Sequence, residues 1–209
     1  MSYGFFAMIS RMRLINRWSL MQNTWPENVQ EHSLQVAVLA HALALLRQRE
    51  FPQLQPQPDP EHVMACALFH DAGEIITGDM PTPIKYYTPE LRAAYQAAET
   101  AAVDRLLELL PPALQPDYRR LLSPEDCQDE YGQVTLRLVK AADRLSAYIK
   151  CVEETARGNR EFIPAKQQTL EKLRQMQLPE VDRFLQDFMP AFELSLDELQ
   201  QPNPAQAES

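Results

Sequence analysis

With 209 residues, 45% of them hydrophobic, the chain can bury one sizeable core and fits a single domain. A formal charge of -9 and a pI near 5.0 exclude general affinity for nucleic-acid polymers. They allow a small phosphate ester, which one cation and one arginine can hold.

Three cysteines, Cys66, Cys127 and Cys151, form no CxxC pair and read as reduced thiols of a soluble, cytoplasmic protein. The most apolar stretch, 36–46, is interrupted by His41. It falls far short of the roughly 20 residues a membrane span needs, so no membrane partner is expected. Phe5 and Phe6 precede Arg11 and Arg13, the reverse of a secretory leader.

Only 5 glycines stand against 17 prolines, and Leu, Ala, Gln, Glu and Arg are plentiful, which predicts helices punctuated by proline stops. Phe5, Phe6, Ile9 and Met12 recur at helical spacing and predict a first helix ending near Arg13. Asn28, with Glu31 three residues on, starts a second helix that runs to about Arg49. It carries the stripe His32, Val36, Leu39, Leu43 and Leu46, opposed by Leu34, Val38 and Leu45. Apolar residues on both sides predict a central helix covered on more than one face.

The Pro- and Gln-rich stretch 51–60 reads as a loop, after which Asp59 caps a third helix with Pro60 in its first turn. That helix is expected to run through His70 and Asp71 to about Ile76, followed by an irregular loop over 78–83. Thr88 and Pro89 open a fourth helix that Pro111 and Pro112 end, and a short helix follows around 114–122. A long helix spans 132–157, with Gly158 just past its end. Further helices start at Pro164 and Pro179, and Ser195 with Glu198 caps a last turn. The expectation is an all-α fold, with one domain over 1–199 and a disordered polar tail over 200–209.

Metal-assisted hydrolysis needs ligands that hold a divalent ion yet leave coordination positions open. The chain offers a histidine on the second helix, a His-Asp pair on the third and an aspartate on the long one. The dipeptide His70-Asp71 alone is a weak signal, but it follows the buried-looking run Met64-Ala65-Cys66-Ala67-Leu68-Phe69. An ionisable pair there costs free energy unless a partner or a metal satisfies it. Glu74 lies one helical turn beyond both, suited to orient water or move a proton; its bland reading is an exposed helix-end acid. His32 alone would be a satisfied core histidine. Asp143 has Val139 and Ala147 one turn away on either side, which suggests an interior role against the alternative of an ion pair with Lys140. His41 and His62 are assigned to structure or surface.

The order His32, His70-Asp71, Asp143 resembles the H…HD…D signature of HD-domain metal-dependent phosphohydrolases. The strings Leu14-Ile15-Asn16-Arg17-Trp18, Glu27-Asn28-Val29-Gln30-Glu31-His32-Ser33-Leu34-Gln35-Val36 and Thr77-Gly78-Asp79-Met80-Pro81-Thr82-Pro83 are similar to the bacterial 5′-deoxynucleotidase family. That likeness fades only in the loop after Phe51 and near the end of the chain. It implies an HD-domain helical bundle that hydrolyses deoxyribonucleoside 5′-monophosphates and forms a homodimer. It also implies one divalent cation, Co²⁺ or Mn²⁺, on His32, His70, Asp71 and Asp143. By the same likeness Arg17 orients the phosphate, and Trp18, Asp71, Asp79, Met80, Pro81, Thr82 and Asp143 contact substrate. Glu74 and Asp79 match acids implicated in catalysis. Gly73 departs from relatives that carry serine there. Three other readings fit the same residues: an HD phosphohydrolase of cyclic nucleotides or nucleoside triphosphates, an inactive, metal-retaining helical binding module, and a purely structural helical domain with its polar residues paired internally.

Overall fold

Side-chain caps and prolines set the helix boundaries in the computed structural model, which describes residues 2–85, 87–126 and 129–201. Cys127 and the tail from residue 202 onward lie outside the described residues. Among the described residues there are eleven α-helices, four short 3-10 segments and no strand beyond an isolated Asn16–Asn28 bridge. α1 (Phe5–Ile9) tightens into a 3-10 turn over Ser10–Leu14. α2 (Val29–Glu50) opens with a complete capping box between Asn28 and Glu31. Asp59 caps α3 (Pro60–Phe69), and Thr88 caps α6 (Pro89–Glu108). Between them lie α4 (Glu74–Thr77) and α5 (Thr82–Lys85). α7 (Gln115–Leu122) and α8 (Glu130–Ala156) follow. α9 (Ile163–Gln175), α10 (Pro179–Asp187) and α11 (Leu196–Leu199), the last box-capped by Ser195, complete the order.

Three boundaries differ from expectation. α3 stops at Phe69 instead of running to Ile76, because the Ala67 carbonyl is taken by the His70 N–H and by the His70 imidazole Nδ1 at 2.7 Å. The Asp71 N–H therefore loses its normal partner, and the chain descends through i→i−3 bonds from Ala72 to Phe69 and from Glu74 to Asp71. α5 forms inside the expected irregular loop because the Pro81 carbonyl accepts from both Ile84 and Lys85. α8 begins two residues before Gly132, since Asp129 caps it by accepting from the Gly132 N–H at 2.7 Å.

α2 lies between α3 and α8. Its Val36, Leu39, Ala40 and Leu43 pack with Val63, Cys66 and Ala67 of α3 and with Leu138, Ala142 and Leu145 of α8. Fully burying one of these leucines contributes roughly 1.5–3 kcal/mol. A second cluster joins Phe5 to Ala72, Leu106, Leu110 and Leu122. α2 is covered on more than one face, by α3, α8 and α10, but the side carrying Leu34 and Val38 stays open, each of the two being 61% exposed. No described helix is long and apolar enough to cross a membrane.

Two buried ion pairs tie elements together. Arg47 of α2 meets Glu180 of α10 at 3.1 Å. Lys150 and Glu154 pair at 2.6 Å along α8. Glu154 also accepts from the Thr24 and Trp25 N–H groups and from Asn159 Nδ2 at 2.9, 3.1 and 2.8 Å, and Lys150 Nζ donates to the Trp25 carbonyl. α8 thereby anchors the loop that leads into α2. Burial works to raise the Glu154 pKa, but donors from Lys150, Asn159 and Thr24 hold it well below the usual carboxylate range. Such a group adds stability above its unfolded pKa and loses it as pH falls toward the depressed folded value. Glu154→Gln should therefore cost roughly 3 kcal/mol at about pH 7. The deficit should shrink by about pH 3 in urea melts.

Candidate active site

The first turn of α2, the break after α3 and the middle of α8 meet at one point. The His32 and His70 rings lie 5.2 Å apart, centroid to centroid. His32 Nε2 is 3.2 Å from Asp143 Oδ1 and 3.5 Å from Asp71 Oδ2, and His70 Nε2 is 3.2 Å from Asp71 Oδ2 and 4.0 Å from Asp143 Oδ1. One ligand atom from each of His32, His70 and Asp143 falls within 4.8 Å of the others. Asp71 reaches both imidazoles too, but shares Oδ2 with Arg17 Nη1 at 3.1 Å. The Asp143 side chain is 41% exposed, so it closes the cluster at a solvent-facing mouth.

Each imidazole has its protonated nitrogen fixed from behind. His70 Nδ1 points at the Ala67 carbonyl, which can only accept. His32 Nδ1 faces Ser146 Oγ at 3.2 Å and Glu27 Oε1 at 3.5 Å. The Ser146 hydroxyl donates its proton to Gln35 Oε1 at 2.6 Å, leaving its oxygen to accept. This network assigns the proton of the neutral ring to Nδ1 in both cases, so that each Nε2 can offer its lone pair to a cation at the centre. Both Nε2 atoms are buried and lack a hydrogen-bond partner. Orphaned nitrogens facing two carboxylates fit a divalent cation of the Mn²⁺, Co²⁺, Fe²⁺ or Zn²⁺ kind.

The electrostatics demand positive charge there. Burial works to lower the His70 pKa, but Asp71 and Asp143 outweigh it and lift the value to about 9. Burial works to raise Asp71 and Asp143, yet the histidines hold both low, with Arg17 adding to the effect at Asp71. A cation between the rings supplies the charge that a proton otherwise would.

Around this centre, the segment before α2 pairs with the segment before the loop: Arg17 N–H donates to the Glu27 carbonyl and Val29 N–H to the Ile15 carbonyl, both at 2.9 Å. Trp18 sits at φ +57°, a left-handed conformation that a bulky residue holds only when its surroundings enforce it. Its indole Nε1 donates to Glu27 Oε2 at 2.7 Å, and its ring lies 5.4 Å from buried Phe162. Glu74 is buried at the start of α4, its Oε2 without a partner. Burial, then Asp71 and Asp79, push its pKa up to about 10. Asp79 is raised mainly by burial and lies within the fields of Arg17, Asp71 and His32. Gly78 holds φ +75° with open space around it, so backbone conformation and not crowding requires glycine there. Its carbonyl accepts from Tyr95 OH at 3.1 Å, which fixes the start of the loop.

Met80 lines a hollow of about 420 Å³ beside Tyr95 and Ala98 of α6 and does not join the cluster. Pro81 heads α5, and the Thr82 side chain lies outside the described residues. A Cβ on Gly73 would make ordinary contact with the Glu99 carbonyl at 3.5 Å, so a serine there would fit. His62 packs beside Tyr131 and Cys66, and His41 is half-buried, both outside the cluster. The sequence reading gave no role to Glu27, Gln35 or Ser146. Gln35 and Ser146 stand one turn beyond His32 and Asp143 on the same helices, a polar pair at i+3 that marks the shared face. Glu27 lies in a loop and carries no periodic signal.

An all-helical bundle that gathers two imidazoles and two carboxylates from separate segments has the donor set that a metal-dependent hydrolase requires. The fold resembles an HD-domain phosphohydrolase from Listeria innocua, with a TM-score of 0.74 and 22% identity, covering 98% of this chain and 94% of that one. It also resembles a cyanophage S-2L HD phosphohydrolase bound to dA and one catalytic Zn²⁺ ion, with a TM-score of 0.64 and 21% identity, covering 88% and 96%. Residues 4–192 match the family described as 5′-deoxynucleotidase YfbR-like. Proteins named 5′-deoxynucleotidase from Yersinia pestis (strain Pestoides F) and Yersinia pseudotuberculosis (serotype O:3) are each 48% identical over 195 residues, 93% of this chain and 95% of theirs. The chain belongs to the YfbR-like 5′-deoxynucleotidase family of hydrolases.

Proposed function

We propose that this chain hydrolyses deoxyribonucleoside 5′-monophosphates to deoxyribonucleosides and phosphate, using one divalent cation held by His32, His70, Asp71 and Asp143. The observation that carries this reading is the pair of buried, unpartnered Nε2 atoms facing two carboxylates, with Arg17 and a proton-bearing Glu74 beside them. When bound, a cation there would lower the pKa of a coordinated water and neutralise charge on the phosphoryl group. Arg17 presents a planar fork of donors that orients the phosphate for in-line attack. Burial, Asp71 and Asp79 push Glu74 up to about 10 against the opposing pull of Arg17 and Lys85, and a cation at the centre would oppose that rise further. Glu74 is on this reading the carboxyl that takes a proton from water and gives it to the departing 5′-oxygen. Asp79 serves the sugar side, and Trp18 forms a flat wall for sugar or base. An apolar wall discriminates weakly against an added hydroxyl, so rejection of ribonucleotides requires steric crowding at the 2′ position. On this reading 1–199 act as one domain with 200–209 as a tail, in a cytoplasmic homodimer.

A phosphate-release panel of dAMP, AMP, a 3′-monophosphate, cyclic AMP and dATP, with Co²⁺ or Mn²⁺ and a chelator control, tests it. Release from dAMP alone, abolished by chelator, is expected. Equal rates on dAMP and AMP would remove the deoxy-selectivity. Turnover of cyclic AMP or dATP would point to another HD phosphohydrolase, and no turnover would leave a binding module.

A further inference from the structure

We propose that Glu27 is a positioning residue that couples the phosphate-binding arm to the metal centre, a role that rests on the function proposed above. One half-buried carboxylate serves three groups. Its Oε2 accepts from Trp18 Nε1 at 2.7 Å and lies 3.8 Å from Arg17 Nε, while Oε1 faces His32 Nδ1 at 3.5 Å. Its own backbone carbonyl accepts the Arg17 N–H at 2.9 Å, so the residue is fixed at both ends.

The chemistry calls for two acceptor oxygens. On one side Glu27 and Ser146 together keep the His32 proton on Nδ1, which leaves Nε2 for the cation. On the other side the indole N–H holds Trp18 in its left-handed conformation against Phe162. A carboxylate accepts on both flanks at once; an amide offers one oxygen and one NH₂, so glutamine must set a donor against a donor on one flank. Glu27 thus makes the geometry of the arm and of the centre depend on one side chain. A space-filling role would need only its shape, which glutamine reproduces; a positioning role needs its charge, which aspartate keeps.

The test compares Glu27→Gln and Glu27→Asp with the unaltered full-length chain, all in a Trp25→Phe background so that Trp18 alone fluoresces. Mn²⁺ or Co²⁺ affinity is measured by calorimetry without substrate, together with Trp18 emission, the melting midpoint of the metal-free chain and KM for dAMP. Glu27→Gln should weaken metal binding by about 10–100-fold, shift Trp18 emission and raise KM, with little change in melting. Glu27→Asp should bind the metal more tightly than Glu27→Gln, and it carries the comparison alone should the glutamine variant fail to fold. Wild-type affinity in Glu27→Gln, or in the fallback wild-type affinity and emission in Glu27→Asp, would overturn the proposal. So would aspartate binding more weakly than glutamine. Because affinity is read without nucleotide, a chain that binds metal but releases no phosphate from dAMP refutes the proposed function and leaves the Glu27 result standing.

Discussion

Glu74→Gln is expected to lower kcat by about 10²–10⁴-fold, the range that loss of a proton-transfer group produces, with metal content by elemental analysis unchanged. The same substitution should make the metal-free protein more stable near neutrality. A folded-state pKa lifted to about 10 means that the native chain binds this proton far more tightly than the unfolded one. The resulting stabilisation is complete below the ordinary carboxylate range and is lost as pH rises toward the raised value. At about pH 7 the wild-type chain has already given up part of it, whereas glutamine, neutral throughout, has nothing to lose. Urea melts in chelator at about pH 7 should favour Glu74→Gln by about 1–3 kcal/mol, with the gap closing near pH 4. Activity lost with no gain in stability would mean that the acid is not held protonated by its surroundings. An activity near wild type would remove Glu74 from the chemistry.

Arg17→Ala should reduce kcat/KM for dAMP by about 10²–10³-fold, the scale on which one fixed donor to a developing anion acts. Its guanidinium is kept charged in spite of burial by Asp71, Asp143 and Glu27, and it sits 3.1 Å from the carboxylate of a proposed ligand. Removing it frees Asp71 Oδ2 without deleting any of the four ligands, so metal stoichiometry should hold. Loss of metal would contradict the role assigned to Arg17. Arg17→Lys should recover little, because a point charge on a flexible stem does not replace a planar fork.

How much of this could be read from the residues depends on where the signal lies. The start of α2 was legible because Asn28 and Glu31 complete a local box that needs no tertiary partner. His32 was legible only in company: its own stripe marks it as core, and the structure buries it to 1% exposure. The break after Phe69 was hidden, since it arises when one imidazole captures a carbonyl that helical periodicity assigns to Asp71. Asp143 was read as interior from its apolar neighbours, which pack beneath it, while the carboxylate itself stands at the mouth. Leu34 and Val38 misled for a related reason: hydropathy shows which faces are apolar, and only the placement of other helices decides which are covered. Glu27 opens a string that resembles the family, yet its spacing gave it no role, because its contacts are made by a loop whose path is set from α8 through Glu154.

The proposed ligand groups come from segments that touch only when α2, α3 and α8 are docked, so an unfolded chain keeps only the adjacent His70-Asp71 pair of the cluster. Whatever free energy an ion gains by binding is then also free energy of folding, and the two rise and fall together with metal concentration. A packing defect in the core that docks α2, α3 and α8, such as a lost methyl at Val139 or Leu145, becomes a defect in ion retention. Starvation for metal becomes, by the same linkage, a threat to the integrity of the molecule.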